Sequence, residues 1–477
     1  MKRLAELQRQ FTGCVERYGP RLLPFADAAT PELPLPRLLR LSLFQVSVGM
    51  AVVLLIGTLN RVMIVDLHVP ASLVACMVSL PLVCAPFRAL VGFRSDTHRS
   101  VLGWRRVPFL WFGTLLQFGG LCIMPFALLV LSTRPHGAAA VVGQAGAAMA
   151  FLLVGAGLHT VQTTGLALAT DLAPPATQPR VVALLCMMLL LGMVASALLF
   201  GAVLANFTEI KLIRAVQGAA LATMLLNLAA LWRQEARDPA RAAGARPAPR
   251  FREAWRKFRE QTHAIRRLVV LALGTVAFSM QDVLLEPYGG QVLHLPVGAT
   301  TGLTAGMALG GLGGFALAAR TLGRGVDPYR FSAVGTCVGL AAFAAVICSA
   351  HLGSAPLFAG GVVLIGLGAG LFAHCTLTAA MAMAQPGQIG LTLGLWGAVQ
   401  ASAAGSAAAL GSLIRDGTAL LGAHGPLGRA FGTAAGYAVV YQIEALLLVL
   451  TLIAVAPLAR PYLARGTLAG LRLGQVR

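Results

Sequence analysis

Apolar residues in this chain come in long unbroken runs. They do not alternate as in a half-buried strand, nor form the single stripe of a soluble helix. Runs bounded by charge, Pro or Gly predict helices near 41–66, 70–91, 107–131, 138–170, 180–206, 210–232, 264–288, 297–319, 331–350, 355–385, 389–414 and 430–458. A helix needs about 20 apolar residues to cross a bilayer, and each run has that length. The pattern therefore predicts an all-α polytopic membrane protein with twelve transmembrane helices, numbered here 1 to 12 in chain order. It divides into an N-tail (1–40), a six-helix half (41–232), a basic linker (233–263), a second six-helix half (264–458) and a C-tail (459–477). Within the linker, Phe251 to Phe258 predicts a short surface-lying helix. Residues 3–18 place Leu4, Leu7, Phe11 and Val15 on one face of a second such helix.

The halves resemble each other. Leu-His-Val-Pro at 67–70 recurs as Leu-His-Leu-Pro at 293–296, and the same offset of 226 carries Arg94 onto Arg320. Gly-Ala-Gly-Leu at 155–158 recurs at 368–371. Two parallel six-helix pseudo-repeats resemble the major facilitator superfamily, which implies a cavity between the halves near mid-membrane.

Composition narrows the class further. Only 11% of the 477 residues are charged, 57% are hydrophobic, and mean hydropathy is +0.78. A typical soluble domain carries about 25% charge, so a soluble enzyme, a disordered tail protein and a disulfide scaffold are excluded. The net charge of +20 has a topological reading. Thirty lysines and arginines fall in the tails, the linker and alternate loops; six fall on the opposite side, and Arg88 lies inside helix 2. That asymmetry predicts both termini in the cytoplasm and gives no reason to expect nucleic acid as a partner. The first long apolar run starts near Leu41, too far in for a cleavable signal peptide. The eight cysteines form no Cys-x-x-Cys pair, so neither a disulfide nor a structural metal is expected.

The stretch after helix 2 reads Gly-Phe-Arg-Ser-Asp-Thr-His-Arg-Ser-Val-Leu-Gly-Trp-Arg-Arg, residues 92–106. Gly92, Asp96, Arg99, Gly103, Arg105 and Arg106 resemble, with an insertion, the superfamily's motif between helices 2 and 3. An Asp beside a helix N-terminus and clustered Arg can lock two helices in one state. The plainer alternative is an ordinary basic loop.

Several segments resemble one branch of the superfamily more closely. They are 60–70 (Asn-Arg-Val-Met-Ile-Val-Asp-Leu-His-Val-Pro), 85–120 around the helix 2–3 loop, 169–174 (Ala-Thr-Asp-Leu-Ala-Pro) and 281–290 (Gln-Asp-Val-Leu-Leu-Glu-Pro-Tyr-Gly-Gly). Together they are similar to the PucC/LhaA family of phototrophic bacteria. The resemblance implies a non-enzymatic assembly factor for light-harvesting antenna, with the core light-harvesting 1 complex favoured over light-harvesting 2. It implies transient handling of bacteriochlorophyll a, or chaperoning of nascent antenna polypeptides, in the inner or intracytoplasmic photosynthetic membrane. Its implied partners are the antenna α and β polypeptides, reaction centre–antenna intermediates, bacteriochlorophyll synthase, the insertion machinery and the lipid bilayer. A proton-coupled small-molecule transporter is the alternative from the fold.

Bacteriochlorophyll presents a magnesium that takes one axial ligand, commonly imidazole, and a broad flat ring that needs a low helix face beside it. His159 in helix 4 and His374 in helix 10 are the two deep histidines, and each has glycine four residues earlier, Gly155 and Gly370. They are pigment-ligand candidates; interhelical hydrogen bonds are the plainer reading. Asp282 lies 15 residues beyond Arg267, about 22 Å into the bilayer, with Glu286 one turn further on. By the repeat alignment Arg61 sits at similar depth, which predicts an Arg61–Glu286 or Arg61–Asp282 pair, either a coupled gate or a staple between helices 1 and 7. Glu444 in helix 12 has no legible partner. The Gly-Gly-Leu-Gly-Gly run at 310–314 lacks a preceding strand and a Lys, so no nucleotide site is expected. No catalytic constellation is present in the sequence.

Overall fold

The computed structural model describes residues 33–59, 62–63, 67, 71–98, 103–132, 138–174, 177–204, 208–236, 250–295, 297–385, 387–422 and 435–459. Among the described residues twelve helices are long and apolar enough to span a membrane, which makes this a multi-pass membrane protein. They are Leu35–Thr58, Cys76–Thr97, Val107–Leu131, Val141–Leu172, Arg180–Val203, Glu209–Leu231, Ala264–Asp282, Leu303–Leu322, Pro328–Leu352, Ala355–Met383, Ile389–Arg415 and Ala435–Ala459. Large apolar side chains such as Leu198, Leu309 and Leu413 stand on the outside, as in a bundle whose solvent is lipid.

The packed pairs repeat at a spacing of six helices. In the first half, helix 1 packs on 5 and 6, helix 2 on 4, and helix 3 on 4 and 6. In the second, helix 7 packs on 11 and 12, helix 8 on 10, and helix 9 on 10 and 12. Each half has its own core, one around Phe44, Phe151 and Val181, the other around Phe343, Phe358 and Tyr441. The principal joints between halves are helix 2 on 11 and helix 5 on 8, again related by six.

Helix 1 begins at Leu35, ahead of the predicted 41, with Pro34 as its N-cap. Arg37 and Arg40 mark the end of the apolar run but not of the helix. Arg37 donates to the side chain and carbonyl of Gln234 at 3.2 and 2.6 Å, so the helix continues past the apolar zone. Helix 2 extends the other way: Arg88–Thr97 is helical, and Gly92 and Asp96 stand on its last turns rather than in a loop.

Three spans are irregular inside. Helix 2 passes through a 3₁₀ turn at Ala85–Phe87, where Pro81 and Pro86 lack backbone donors. Helix 7 is regular over Ala264–Ser279, turns 3₁₀ at Met280–Val283 and resumes at Leu285–Gln291. Helix 1 widens to a π-helix at Val53–Thr58. The offset of 226 carries this π segment onto the break in helix 7, so the two repeats are irregular at the same level. The linker helix forms over Phe251–Glu260, but it packs on the end of the bundle through Ala254 and Phe258. The helix expected within residues 3–18 lies outside the described residues.

Candidate functional site

The first part of the site joins the halves on the side of the helix 2–3 loop. Gly103 adopts φ 79° where the chain turns toward helix 3, a conformation open to glycine without steric cost. The Glu235 carboxylate accepts from the backbone N–H groups of Arg105 (2.9 Å), Arg106 (2.9 Å) and Val107 (3.0 Å). It thereby satisfies donors that the start of helix 3 leaves open. Arg106, fully buried, then reaches three groups: Asp96 at 2.6 Å, Asp171 at 3.0 Å and the Ser95 hydroxyl at 2.6 Å. Arg105 pairs with Asp171 at the rim. Asp96 carries the connection across the halves, accepting from the N–H groups of Gly390 and Leu391 at 2.8 Å each, at the N-terminus of helix 11. A carboxylate held by an arginine and aimed at a helix N-terminus is the locking arrangement expected of the motif. Asp96, Arg105 and Arg106 are thus brought together; Gly103 makes the turn and Gly92 the crossing. Arg99 lies outside the described residues.

Below this staple, helices 2 and 11 touch backbone to backbone. A Cβ at Gly92 would fall on the Gly390 carbonyl, and one at Gly394 on the Arg88 carbonyl. Gly397 makes room for the Arg88 guanidinium, which is buried and donates from Nε to the Thr163 hydroxyl at 3.0 Å. Gly390, Gly394 and Gly397 fall on one face of helix 11. The linker helix covers the joint: Ala254 and Phe258 join Ala89, Phe93, Leu391 and Leu395 in one apolar cluster, and the Phe251 ring meets Phe93 edge-on at 5.4 Å.

The second part is a cavity of about 370 Å³ between the halves. Helices 7, 8 and 10 form most of its wall, helix 5 adds Leu190 and Met193, and helix 11 adds Trp396 and Gln400. Asp282, on the irregular turn of helix 7, is its single ionisable lining residue. Gln281 Nε2 donates to Asp282 Oδ1 at 2.8 Å. The break is held from behind: Glu444 of helix 12 accepts from the Gln281 backbone N–H at 2.8 Å. Glu444 therefore has a partner, a main-chain donor released by the break.

The expected Arg61 pair lies outside the described residues at Arg61, and the Glu286 side chain is not described either. What Asp282 contacts is its neighbour Gln281.

His159 and His374 are both buried, and their glycines serve helix crossings. A Cβ at Gly155 would come within 2.6 Å of Pro81 Cα, and one at Gly370 within 2.6 Å of the Gly311 carbonyl oxygen. The low faces expected to receive a pigment ring are therefore filled by helices 2 and 8. His159 Nε2 is 3.1 Å from the Pro81 carbonyl oxygen, which the helix 2 break leaves accessible; this is the interhelical hydrogen bond of the plainer reading. The Phe315 ring lies 6.2 Å from that of His374. Neither histidine lines the cavity. His159→Ala is expected to lower stability by about 0.5–1.5 kcal/mol, one neutral hydrogen bond, in thermal unfolding of the detergent-solubilised protein.

Sequence reasoning missed Asp171, Glu235, Ser95 and the start of helix 11. Asp171 stands inside the quoted 169–174 segment, which was the available signal. Glu235 lies in a linker with no pattern around it.

A bundle of twelve spans in two repeats, with a mid-membrane cavity between them, defines a protein of the major facilitator fold. Solved structures share it. A bacterial homologue of the iron transporter ferroportin, in its outward-facing state with soaked iron, superposes with TM-score 0.68 at 15% identity, over 90% of this chain and 100% of that one. The superfamily's proton:xylose symporter XylE gives TM-score 0.62 at 13% identity, over 88% and 94%. Family membership is more specific: residues 58–463 match the model of the PUCC protein family, and the chain belongs to it. Protein PucC of Rhodovulum sulfidophilum is 59% identical over 415 residues, 86% of this chain and 91% of that protein.

Proposed function

We propose that this protein is an assembly factor for bacterial light-harvesting antenna, with the core antenna as its client, and that it hands bacteriochlorophyll to nascent antenna polypeptides. The observation that carries the reading is the family match over residues 58–463, which takes in nearly all of both halves. The cavity supports the pigment part. Its lining is mostly apolar, drawn from helices 7, 8, 10 and 11 with Leu190 and Met193 of helix 5, which suits an apolar cargo. The split of basic residues supports a cytoplasmic placement of the staple, both termini and the linker, in the photosynthetic membrane. Partners on this reading are the antenna α and β polypeptides and their intermediates with the reaction centre. Bacteriochlorophyll synthase and the insertion machinery stand upstream.

Deleting the gene in a phototrophic host is expected to abolish most of the core-antenna absorption band while reaction-centre absorption persists, with recovery on complementation. The peripheral antenna is the alternative client, so both bands are read. Loss of the peripheral band alone would move the client. Normal bands in both would overturn the reading.

Asp282 supports a second reading, a proton-coupled transporter, because a lone carboxylate in a mid-membrane cavity can carry a proton. Substrate-driven proton flux in proteoliposomes, together with normal antenna after gene deletion, would favour it.

A further inference from the structure

The central cavity is built around one charged group. Four aromatic rings line it, Phe278, Phe315, Phe372 and Trp396, while Gly366 and Gly370 of helix 10 pack against Met307 and Gly311 of helix 8 and close the wall between those helices. Aromatic walls suit a flat apolar ring. The lining contains no histidine, cysteine, lysine or arginine. Its donors are the oxygens of Asp282, the glutamines and the hydroxyls, together with the thioethers of Met193 and Met307. A carboxylate with amide oxygens nearby is a donor set that suits a hard divalent cation such as magnesium.

The position of Asp282 is constructed. It stands where helix 7 leaves α geometry, and irregular backbone at membrane depth is tolerated where it lines a cavity. Glu444 supplies the acceptor that the break requires, from the far side of helix 7. Gln281 holds one carboxylate oxygen, and Oδ2 has no partner among the described residues. At the equivalent place in the first repeat stands Ile56, likewise exposed. The carboxylate is thus a feature of one half alone, where a structural requirement of the repeat would place it in both.

We propose that Asp282 is the axial ligand this cavity offers to the metal of a planar apolar ring, a magnesium tetrapyrrole, with Gln281 orienting the carboxylate. This rests on the pigment-handling reading above and assigns its ligand to Asp282 in place of His159 or His374.

The test uses full-length protein purified in mild detergent from a pigment-making host without antenna polypeptides. Wild type is expected to carry a near-infrared band. Asp282→Asn should lower pigment per protein at least about tenfold, the scale of losing one charged contact. Asp282→His should restore pigment with a displaced band, the signature of a changed axial ligand. His159→Ala and His374→Ala should retain the wild-type band. Pigment that survives Asp282→Asn unchanged, or that vanishes only with a histidine variant, overturns the assignment.

Wild-type protein alone gives an independent measure, free of folding artefacts. Added magnesium ring should bind at least about tenfold more tightly than the same ring without metal, read by quenching of Trp396 emission against a Trp396→Phe control. Equal affinities overturn the assignment, as does Asp282-dependent binding of a lipophilic organic cation with none of the ring. A colourless, non-binding wild type that still restores antenna in the deletion strain sinks this inference and leaves the assembly role standing.

Discussion

Arg106→Ala is expected to destabilise the protein by about 3–5 kcal/mol, the usual cost of breaking a buried ion pair from one side. The guanidinium is fully buried and lies against two carboxylates and a hydroxyl. Alanine would leave Asp96 without a counter-charge under the linker helix and weaken its hold on the Gly390 and Leu391 N–H groups. Arg105→Ala is the internal comparison. Its pair with Asp171 is partly exposed, so about 0–1 kcal/mol is expected. Thermal unfolding in detergent measures both. Arg106→Lys should recover little, because one ammonium cannot span Asp96, Asp171 and Ser95 as the planar guanidinium does. Combining Asp96→Asn with Arg106→Ala removes the orphaned charge, so the double variant should be more stable than the sum of the singles implies. Strict additivity would show that the two side chains do not act as a unit. A cysteine introduced by Leu391→Cys should also react faster with a membrane-impermeant maleimide once the joint loosens.

The bundle was legible in the chain because a membrane span has one overriding requirement, a long apolar run. The repeat was legible because Leu-His-Val-Pro and its partner survive at a fixed offset. Boundaries were less so where polar residues continue a helix beyond the apolar zone, as at Arg37 and at Asp96. Breaks inside spans differed in visibility. Pro81 and Pro86 announce the break in helix 2, whereas Met280–Val283 and Val53–Thr58 contain no proline, and the first is held by Glu444 from a distant part of the chain. Within the site, the residue types of the helix 2–3 motif were readable, and so was the isolation of Asp282. Their partners were not. Asp96 bonds to backbone 294 residues away, and Glu235 acts on main-chain N–H groups that carry no residue signature. The glycines before the two histidines were visible, but a glycine that opens a face to a ligand and one that admits a neighbouring helix look alike in sequence.

Gly390→Leu is expected to pry open the joint between helices 2 and 11. The position meets the Gly92 carbonyl, the Ser95 hydroxyl and the Arg106 guanidinium, so an added side chain presses on backbone and on the staple together. Overpacking a tight core costs about 1–3 kcal/mol when neighbours can give way, and the Gly92 backbone has little freedom to do so. The cost falls only on the state in which helices 2 and 11 are in contact. A conformation with the joint parted escapes it, so the equilibrium shifts toward that conformation. Gly218→Ala in helix 6 is the matched control. Nothing lies within 4 Å of its added Cβ, so its stability should stay level or rise by up to about 1 kcal/mol. The informative result is Gly390→Leu protein that accumulates in the membrane at wild-type level, reacts with maleimide at Leu391→Cys, and supports little antenna. That would mean assembly requires the joint to close, which a static scaffold for antenna helices does not. Normal antenna with the joint demonstrably open would place the client's binding surface elsewhere and reduce the staple to a structural fastening.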